Sequence, residues 1–407
     1  MNFSAQDERY MRQAIDHARQ GTALASPNPR VGAVIVTASG EIAGAGFHTY
    51  EGVKHAEVLA IEQALQAGGR ARGATLYLNL EPCSHQGRTG PCADAVIAAG
   101  IKRVVAAMQD PNPEVAGRGF AKLRSAGVQV EVGLLETEAR KLNEAFARYI
   151  TAKKPLVTIK SGMTLDGKIA PPPEETPHSA TPSAGGTTGG WITSAEARAH
   201  VQELRHESDA IMVGVGTVLA DDPLLTDRTG RKRRRPLLRV VVDSRLRMPL
   251  ESRLVKTARN DVLVLCSFAE EKKRRALEDH GVRVEQIALG SSDGRPDFNK
   301  IALRLGELEI TSLLIEGGAL VNWTALASGM ADKIFLYYAP KILAGMGSVP
   351  FAAGAGFSKM SDAAMVKNIS LHRFGEDFAL EGYLRDPYAA NGDISASPTS
   401  PSEEERA

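Results

Sequence analysis

One histidine and two cysteines lie close together in a short stretch of the chain, and they constrain it more than any other feature. His55 is followed by Cys83 and Cys92. Zinc binds imidazole nitrogen and thiolate sulfur in tetrahedral geometry, and a catalytic zinc keeps one of its four positions for water. Because three protein ligands leave that position open, the stretch predicts a catalytic zinc site.

A glutamate stands two residues after the histidine. Glu57 cannot easily share the metal, but it can reach a water bound there. Zinc lowers the pKa of such a water to about 7, and a carboxylate can shuttle its proton. His-x-Glu followed by Pro-Cys and a second Cys is the signature of zinc nucleobase deaminases. The alternatives are a redox cysteine pair and a closed zinc site, for which only His85 lies near enough to be a fourth ligand.

The spacing of the two cysteines narrows the family. Residues 84–91 separate them, whereas the usual spacing is Cys-x-x-Cys. The segment 81–92, with residues 27–32 before it and 109–113 after it, resembles the deaminase domain of the bifunctional riboflavin-biosynthesis deaminase/reductase. This resemblance implies that Asn28 reads the pyrimidine edge. It also implies that His48, His85 and Arg88 belong to the substrate pocket, although each could be a turn or surface residue.

A second domain begins with the β-branched strand 156–160, followed by a small-residue bend at Ser161 and Gly162. With the motifs 191–194, 216–223 and 316–318, it resembles the reductase domain of the same family, which has a dihydrofolate-reductase-like fold. The resemblance implies substrate contacts from Arg205, Leu225, Arg228 and Glu316. It implies NADPH contacts from Gly162, Trp191, Thr217, Asp221, Ser244, Gly318, Ala319, Leu320, Val321, Asn322, Trp323 and Thr324.

Without the resemblance, the residues of the second half indicate a dinucleotide less strongly. The pair Gly317 and Gly318 follows an apolar strand and precedes a helix from about Leu320, so backbone amides there can approach a pyrophosphate. A tight turn alone would also explain both glycines. Arg205 and Arg228 suit a sugar phosphate, because an arginine makes bidentate charge-assisted contacts. Both could equally be surface charges.

Helices and strands alternate through the first half. Apolar spacing predicts helices at 7–20, 56–67, 92–99, 119–126 and 136–150, and strands at 31–36, 41–47, 75–80, 103–108 and 128–132. This pattern is typical of a three-layer α/β/α fold, which agrees with the cytidine-deaminase-like domain implied by the resemblance. Pro91 suits the first turn of its helix, and Cys92 should gain thiolate character at that helix N-terminus.

The length of 407 residues predicts two domains, since single cores stop growing below this size. We expect a deaminase domain at 1–151, a reductase domain at 152–385 with a flexible insertion at 171–190, and a disordered tail at 386–407. The insertion makes the residues before Trp191 hard to align, and Gly189 falls where family members can carry a substrate-binding serine. The basic run 231–235 is expected to be a solvated loop.

Charge and cysteine content limit the partners. Forty-nine basic residues nearly balance 48 acidic ones, so we expect no nucleic-acid or membrane binding. An odd number of cysteines, with thiolate ligands among them, favours a reducing compartment and a cytoplasmic protein. The family is commonly oligomeric, which implies a homo-oligomer. The rival functions are a nucleic-acid-editing deaminase and a zinc-stabilised scaffold protein.

The resemblance implies two small-molecule reactions. The first would be hydrolytic deamination of 2,5-diamino-6-ribosylamino-4(3H)-pyrimidinone 5′-phosphate. The second would be NADPH-dependent reduction of the ribosyl group of the resulting uracil compound to ribityl. The implied cofactors are Zn²⁺ and NADPH.

Overall fold

The structure, a computed structural model, describes residues 3–172, 190–290 and 294–389. Most of the expected insertion, including Gly189, and the tail from residue 390 lie outside these ranges. Within them the chain forms a five-stranded sheet, a nine-stranded sheet and one further strand pair.

The amino-terminal half is built on the five-stranded sheet. Its elements are α1 (Ala5–Arg19), β1 (Gly32–Val36), β2 (Ile42–Phe47), α2 (Ala56–Gln66), β3 (Thr75–Leu78), α3 (Cys92–Ala98), β4 (Arg103–Ala106), α4 (Arg118–Ser125), β5 (Gln129–Val132) and α5 (Glu136–Ala152). The strand order is β2-β1-β3-β4-β5, with β1 antiparallel to both neighbours and β3, β4 and β5 parallel.

Helices cover both faces of this sheet, as the sequence predicts for three layers. All residues of β1 are buried. Helix α1 packs with α5, whereas α2 packs with α3 and α3 with α4. The approach is close: a Cβ atom on Gly32 would lie 2.1 Å from the carbonyl oxygen of Ala14, and one on Gly44 would lie 2.1 Å from that of Ala60. Only glycine allows α1 and α2 to pack at this distance.

The carboxy-terminal half is built on the nine-stranded sheet. Its elements are β6 (Leu156–Thr164), β7 (Lys168–Ala170), α6 (Ala195–Glu207), β8 (Ala210–Gly214), α7 (Val215–Asp221), β9 (Leu238–Val242), α8 (Arg253–Lys256), β10 (Val262–Cys266), α9 (Glu271–Glu278), β11 (Val282–Gln286), α10 (Phe298–Glu307), β12 (Ser312–Ile315), α11 (Ala319–Ala327), β13 (Lys333–Ala339), β14 (Val349–Pro350), a 3₁₀ turn (Met360–Asp362), β15 (Lys367–Phe374) and β16 (Asp377–Tyr383).

The order of this sheet is β11-β10-β9-β8-β12-β6-β13-β16-β15. The first seven strands of this order, from β11 through β13, are parallel to one another. Strands β16 and β15 add an antiparallel edge. Alternate residues enter two separate cores: Met212 and Val240 belong to one, and Val213 and Val241 to the other. Both faces are therefore covered, and the predicted α/β class is confirmed for both halves.

Several local predictions need correction. Ser161 and Gly162 do not bend the chain, because β6 continues through them to pair with β13. Helix α5 extends to Ala152, whereas the predicted helix ended at residue 150. Pro91 is the N-cap residue of α3 rather than part of its first turn. The other predicted elements of the first half lie within a few residues of those observed.

Ion pairs join α5 to the second sheet. Glu144 contacts Lys333 at 2.5 Å, and Lys141 contacts Glu381 at 2.8 Å. Residues 386–389, where the tail was expected to begin, return to α5: the Tyr388 hydroxyl donates to the Arg140 carbonyl oxygen at 2.8 Å. Among the described residues, no helix is long and apolar enough to cross a membrane.

Candidate functional site

The three predicted zinc ligands converge. His55 is the N-cap residue of α2, Cys83 follows β3, and Cys92 is the first residue of α3. The His55 Nδ1 atom lies 3.1 Å from Cys92 Sγ and 3.5 Å from Cys83 Sγ. All three ligand atoms lie within 4.8 Å of one another. Zinc bonds of about 2.0–2.3 Å in tetrahedral geometry fit this spacing.

The helix N-terminus stabilises Cys83 rather than Cys92, contrary to the prediction. The backbone N–H of Cys92 donates to Cys83 Sγ at 3.2 Å. A hydrogen bond from the Cys92 thiol lowers the pKa of Cys83 to about 4, and the contact with His55 acts in the same direction. The shared hydrogen bond and burial raise the pKa of Cys92. The backbone N–H of Cys92 therefore stabilises a thiolate on Cys83.

Glu57 is buried beside these ligands, in the first turn of α2. Its exposed fraction is 3%, and its Oε2 atom has no hydrogen-bond partner in the described part of the chain. Burial raises the pKa of Glu57 to about 7, against the opposing effect of His55. An uncompensated buried carboxyl group is costly unless something satisfies it. The site therefore fits a metal and its water.

Asn28 and His48 extend this site towards a pocket. Asn28 Nδ2 lies 2.9 Å from His48 Nε2, and His48 Nδ1 lies 3.1 Å from the Lys54 carbonyl oxygen. The Lys54 carbonyl oxygen can only accept a hydrogen bond, so the hydrogen of the His48 ring lies on Nδ1. The bare Nε2 atom then accepts a hydrogen bond from the Asn28 amide. Burial lowers the pKa of His48, in agreement with this neutral form. The His48 and His55 rings meet edge to face at 5.1 Å.

The other two predicted pocket residues lie on the exposed loop between the cysteines. Arg88 donates to the Tyr50 carbonyl oxygen at 3.0 Å and lies over the Tyr50 ring. The His85 side chain is exposed and makes no hydrogen bond within the described ranges. The structure thus brings Arg88 to the rim of the site, and the predicted pocket role of His85 stays a prediction.

In the second half, Arg205 and Glu316 pair with each other. Arg205 Nε and Nη2 contact the Glu316 oxygens at 2.7 and 3.0 Å, and Nη1 donates to the Thr226 carbonyl oxygen at 3.0 Å. The guanidinium is therefore not free for the bidentate phosphate contact that we predicted. Burial alone would raise the pKa of Glu316, but Arg205 and Lys160 lower it to about 2.

Lys160 is a site residue that the sequence did not reveal. Its Nζ atom lies 3.3 Å from Glu316 Oε2, and its side chain is mostly buried. The signal was a lone charge inside an otherwise apolar strand, which also describes many surface-facing lysines. Only the pairing of β6 with β12 shows that Lys160 and Glu316 meet.

Different structural requirements explain the two glycines before α11. A Cβ atom on Gly317 would lie 2.7 Å from Val321, so tight packing requires that glycine. On Gly318, the N-cap residue of α11, a Cβ atom would meet only Thr217 Oγ1 at 3.8 Å. Protein packing does not explain Gly318. A ligand that approaches the amides at the start of α11 would explain it, so the predicted cofactor site fits here.

Most predicted cofactor residues lie along one edge of the sheet. Strands β6, β8, β9 and β12 are parallel neighbours, and ligands of such sheets bind at the carboxyl ends of the strands. This edge carries Gly162 near the end of β6, Thr217 and Asp221 on α7, Ser244 after β9, and the start of α11, comprising Ala319, Leu320, Val321 and Asn322.

The remaining predicted residues are occupied by protein contacts. The Trp191 ring is half exposed and lies under the Arg198 guanidinium. The Trp323 ring packs on Phe357 at 5.1 Å. The Thr324 hydroxyl donates to the carbonyl oxygen of Leu320, one helical turn earlier. These contacts do not by themselves place the three residues against a cofactor.

The two remaining substrate residues differ in accessibility. The side chain of Leu225 is buried in a hydrophobic core, and its backbone has a φ of 53°. A contact from Leu225 to substrate would therefore come from its main chain. Arg228 is exposed, and its guanidinium has no ion-pair partner among the described residues. This exposure suits either a phosphate ligand or a surface charge, so the role of Arg228 stays a prediction.

Two family models match the two halves. Residues 4–108 match the "cytidine and deoxycytidylate deaminase zinc-binding region", and residues 155–380 match the "RibD C-terminal domain". With the metal site and the covered parallel sheet, they define a zinc-dependent deaminase joined to an NADPH-dependent reductase. We therefore call the part that carries β1–β5 the deaminase half and the part that carries β6–β16 the reductase half.

Close relatives cover almost the whole chain. The riboflavin biosynthesis protein RibD of Actinobacillus pleuropneumoniae is 41% identical over 94% of this chain and 96% of its own length. The RibD protein of Aquifex aeolicus is 40% identical over 92% of this chain and 97% of its own length. The chain belongs to the RibD family of bifunctional enzymes of riboflavin biosynthesis.

Solved structures agree with this assignment. Acinetobacter baumannii RibD is 34% identical with a TM-score of 0.76, and covers 93% of this chain and 98% of its own. The diaminohydroxyphosphoribosylaminopyrimidine deaminase/5-amino-6-(5-phosphoribosylamino)uracil reductase of Thermotoga maritima is 36% identical, with the same TM-score and coverage.

Proposed function

We propose that Glu57 is the proton-transfer residue of the deaminase half, beside a zinc ion held by His55, Cys83 and Cys92. The observation that carries this assignment is the buried Oε2 atom of Glu57, which has no partner among the described residues and belongs to the same site as three converging ligand atoms. When bound, zinc supplies an acidified water as the nucleophile. Glu57 takes a proton from that water and delivers it to the departing ammonia.

We propose 2,5-diamino-6-ribosylamino-4(3H)-pyrimidinone 5′-phosphate as the first substrate. The name of the Thermotoga maritima protein describes such a compound. Asn28 is oriented by His48, and its remaining amide donor and acceptor suit the edge of a pyrimidine. Partners of this kind are small molecules, and we propose that the protein binds no nucleic acid.

The reductase half is proposed to act on the uracil product. The carboxyl edge of the sheet, at the start of α11, would hold NADPH, and the cofactor would supply the hydride for C1′ of the opened ribosyl group. Glu316 is held rigid by Arg205, so that it and Lys160 can bind the sugar hydroxyls. Arg228, which is unpaired in the described ranges, binds the phosphate. Catalysis here would rest mainly on positioning.

An assay of the purified protein with the diaminopyrimidinone phosphate tests both proposals. Without NADPH we expect ammonia and the uracil compound to accumulate, and with NADPH the ribitylamino compound to form. If ammonia is released but no ribityl product appears with NADPH, the reductase assignment is wrong. If neither product forms in a zinc-replete preparation, the substrate assignment is wrong.

We propose that the protein is a homo-oligomer that associates through the edge strand β15. Ile369 and Leu371 alternate along this strand and are 58% and 60% exposed, and Met360 and Met365 near it are 89% and 67% exposed. Contiguous apolar residues on an open sheet edge are typical of an interaction site. The double variant Ile369→Glu/Leu371→Glu should sediment as a monomer. Leu65→Glu, at an exposed leucine of the deaminase half, is the control and should not change the mass.

We also propose that the two halves, 1–151 and 152–385, are the catalytic units. A separate proposal is that the protein works in a reducing compartment such as the cytoplasm. All three cysteines are free, and two of them are needed as thiolates. Titration of accessible thiols in freshly lysed cells, with and without reductant, tests the compartment. We expect no difference.

A further inference from the structure

The arginine-rich segment 233–235 of the reductase half is not a solvated loop, contrary to our expectation. Arg233 donates to the Ser208 carbonyl oxygen at 2.5 Å and pairs with Asp227 at 3.0 Å. Arg235 pairs with Asp209 at 3.3 Å. These two arginines fix the segment to the reductase half, so the residue between them is held in place from both sides.

Arg234 crosses to the deaminase half. Its backbone N–H donates to the Ala23 carbonyl oxygen at 2.9 Å, and its Nη1 atom donates to that of Ser26 at 2.7 Å. Its guanidinium carbon lies 3.5 Å from the centre of the Tyr50 ring. The loop that it contacts leads directly into Asn28. Arg234 therefore contacts two segments next to predicted site residues: the one before Asn28 and the one after His48.

A second arginine approaches the same aromatic ring. The Arg88 guanidinium carbon, on the loop between the two cysteine ligands, lies 4.6 Å from the Tyr50 ring centre. Tyr50 itself stands two residues after His48. In the described ranges neither Arg88 nor Arg234 has a carboxylate partner, whereas Arg205 is fully paired with Glu316. Two uncompensated guanidinium groups at the rim of a site suit a doubly charged phosphate monoester.

We propose that Arg234 binds the phosphate group of the deaminase substrate together with Arg88, so that the reductase half supplies part of the deaminase site. The free N–H groups of both side chains supply the hydrogen bonds, and Tyr50 holds the two guanidinium planes. This inference rests on the proposed function, since it requires a phosphorylated pyrimidine at the zinc site. It also assigns a role to the basic run that its composition did not indicate.

The test uses the full-length, zinc-loaded protein and measures deamination of two substrates, the 5′-phosphate and its dephosphorylated counterpart. Arg234→Gln should raise the KM for the phosphate by about tenfold or more, the effect of losing one charge-assisted hydrogen bond. It should leave kcat/KM for the dephosphorylated compound unchanged. The double variant with Arg88→Gln should cost less than the sum of the single variants, because both residues hold one group.

Lys232→Gln is the matched control, since Lys232 is an exposed cation of the same run. It should leave both substrates unaffected. An unchanged KM in Arg234→Gln, or an equal loss on both substrates, would overturn the proposal. If the wild-type protein deaminates neither compound, the proposed function fails instead.

The reductase activity of each variant shows whether the protein has folded. If Arg234→Gln loses that activity too, Arg234→Lys decides, because it keeps the charge but loses the planar fork. A selective rise in KM for the phosphate then supports the proposal, and wild-type KM values for both substrates refute it.

Discussion

The two candidate sites each contain a buried carboxyl group, and their surroundings shift its pKa in opposite directions. Glu57 in the deaminase half has an oxygen atom that finds no partner in the part of the chain that the structure describes, and burial raises the pKa of Glu57 to about 7. Glu316 in the reductase half is also buried, but Arg205 and Lys160 lower its pKa to about 2. A carboxyl group that must exchange protons needs a pKa near the working pH. One that must bind or position a ligand is better kept permanently charged.

This difference shows how each half obtains its chemistry. In the deaminase half we propose that a side chain performs the proton transfer, and within the described residues one oxygen of that side chain has no protein partner. In the reductase half we propose that the cofactor supplies the reactive group, while Arg205 and Lys160 hold Glu316 charged so that these residues act by position. The comparison predicts that variants of the two carboxylates will fail in different ways.

The largest expected effect comes from the unsatisfied carboxylate. Glu57→Gln should lower the deaminase kcat by roughly 10³-fold, a typical loss for a general acid-base residue. Zinc content and reductase activity should stay at wild-type levels, because Glu57 is not a ligand. Ammonia release, elemental analysis and NADPH oxidation with the uracil substrate measure the three quantities.

Cys83→Ser is the matched control for that experiment. It should lose the metal as well as the deaminase activity, and NADPH oxidation should persist. If Glu57→Gln loses zinc as Cys83→Ser does, Glu57 is part of the metal-binding shell, and the contrast between the two carboxylates disappears.

The second expected effect is on stability. Arg205→Met leaves Glu316 buried with only Lys160 as a partner, and breaking a buried pair costs about 3–5 kcal/mol. The double variant Arg205→Met/Glu316→Leu removes this pair but leaves Lys160 without its carboxylate partner, so it should recover only part of that loss. Urea unfolding monitored by circular dichroism measures the free energies. Equal destabilisation of the single and double variants would mean that packing, rather than charge, determines the effect.

The sequence predicted the deaminase site better than the reductase site, for a physical reason. His55, Glu57, Cys83 and Cys92 lie within one short stretch and have residue types that few other functions need together. The structure brings together all four. Their assigned roles stay predictions until the assays are done.

The reductase site could not be predicted from local patterns. Lys160 and Glu316 come from strands far apart in the chain, and they meet only because β6 and β12 are neighbours. The interdomain position of Arg234 could not be predicted for the same reason. The composition of a basic run is the same whether the run is solvated or packed. Pairing between distant segments decides these contacts, and spacing along the chain does not encode it.

A third, smaller effect concerns the ion pairs of Glu381, one of which joins the second sheet to helix α5. Burial would raise the pKa of Glu381, but Lys333 and Lys141 lower it to about 2. A carboxylate whose folded pKa is below its unfolded value stabilises the protein at neutral pH, and the stability is lost as pH falls, here from about pH 5 to about pH 2. Glu381→Gln should flatten this acid dependence by roughly 1–2 kcal/mol.

The measurement is the free energy of unfolding at pH 7, 5 and 3.5 in the same buffer series. Glu376→Gln, an exposed glutamate close to Glu381 in the chain, is the control and should keep the wild-type slope. If the Glu381 variant keeps that slope as well, the ion pairs of Glu381, including the one with Lys141 of α5, do not contribute to the acid dependence of stability.

The smallest effect comes from the two adjacent glycines, and it separates packing from ligand binding within the reductase site. Gly317→Ala places a methyl group 2.7 Å from Val321, so it should destabilise the fold by about 1–3 kcal/mol, the usual cost of overpacking. Gly318→Ala meets no close protein atom and should leave the unfolding free energy unchanged. It should still raise the KM for NADPH, by up to about tenfold, because one backbone hydrogen bond to the cofactor is weakened. Thermal denaturation and NADPH titration of both variants measure the two effects. If Gly318→Ala binds NADPH normally, the amides at the start of α11 do not hold the cofactor, and Gly318 belongs only to a turn.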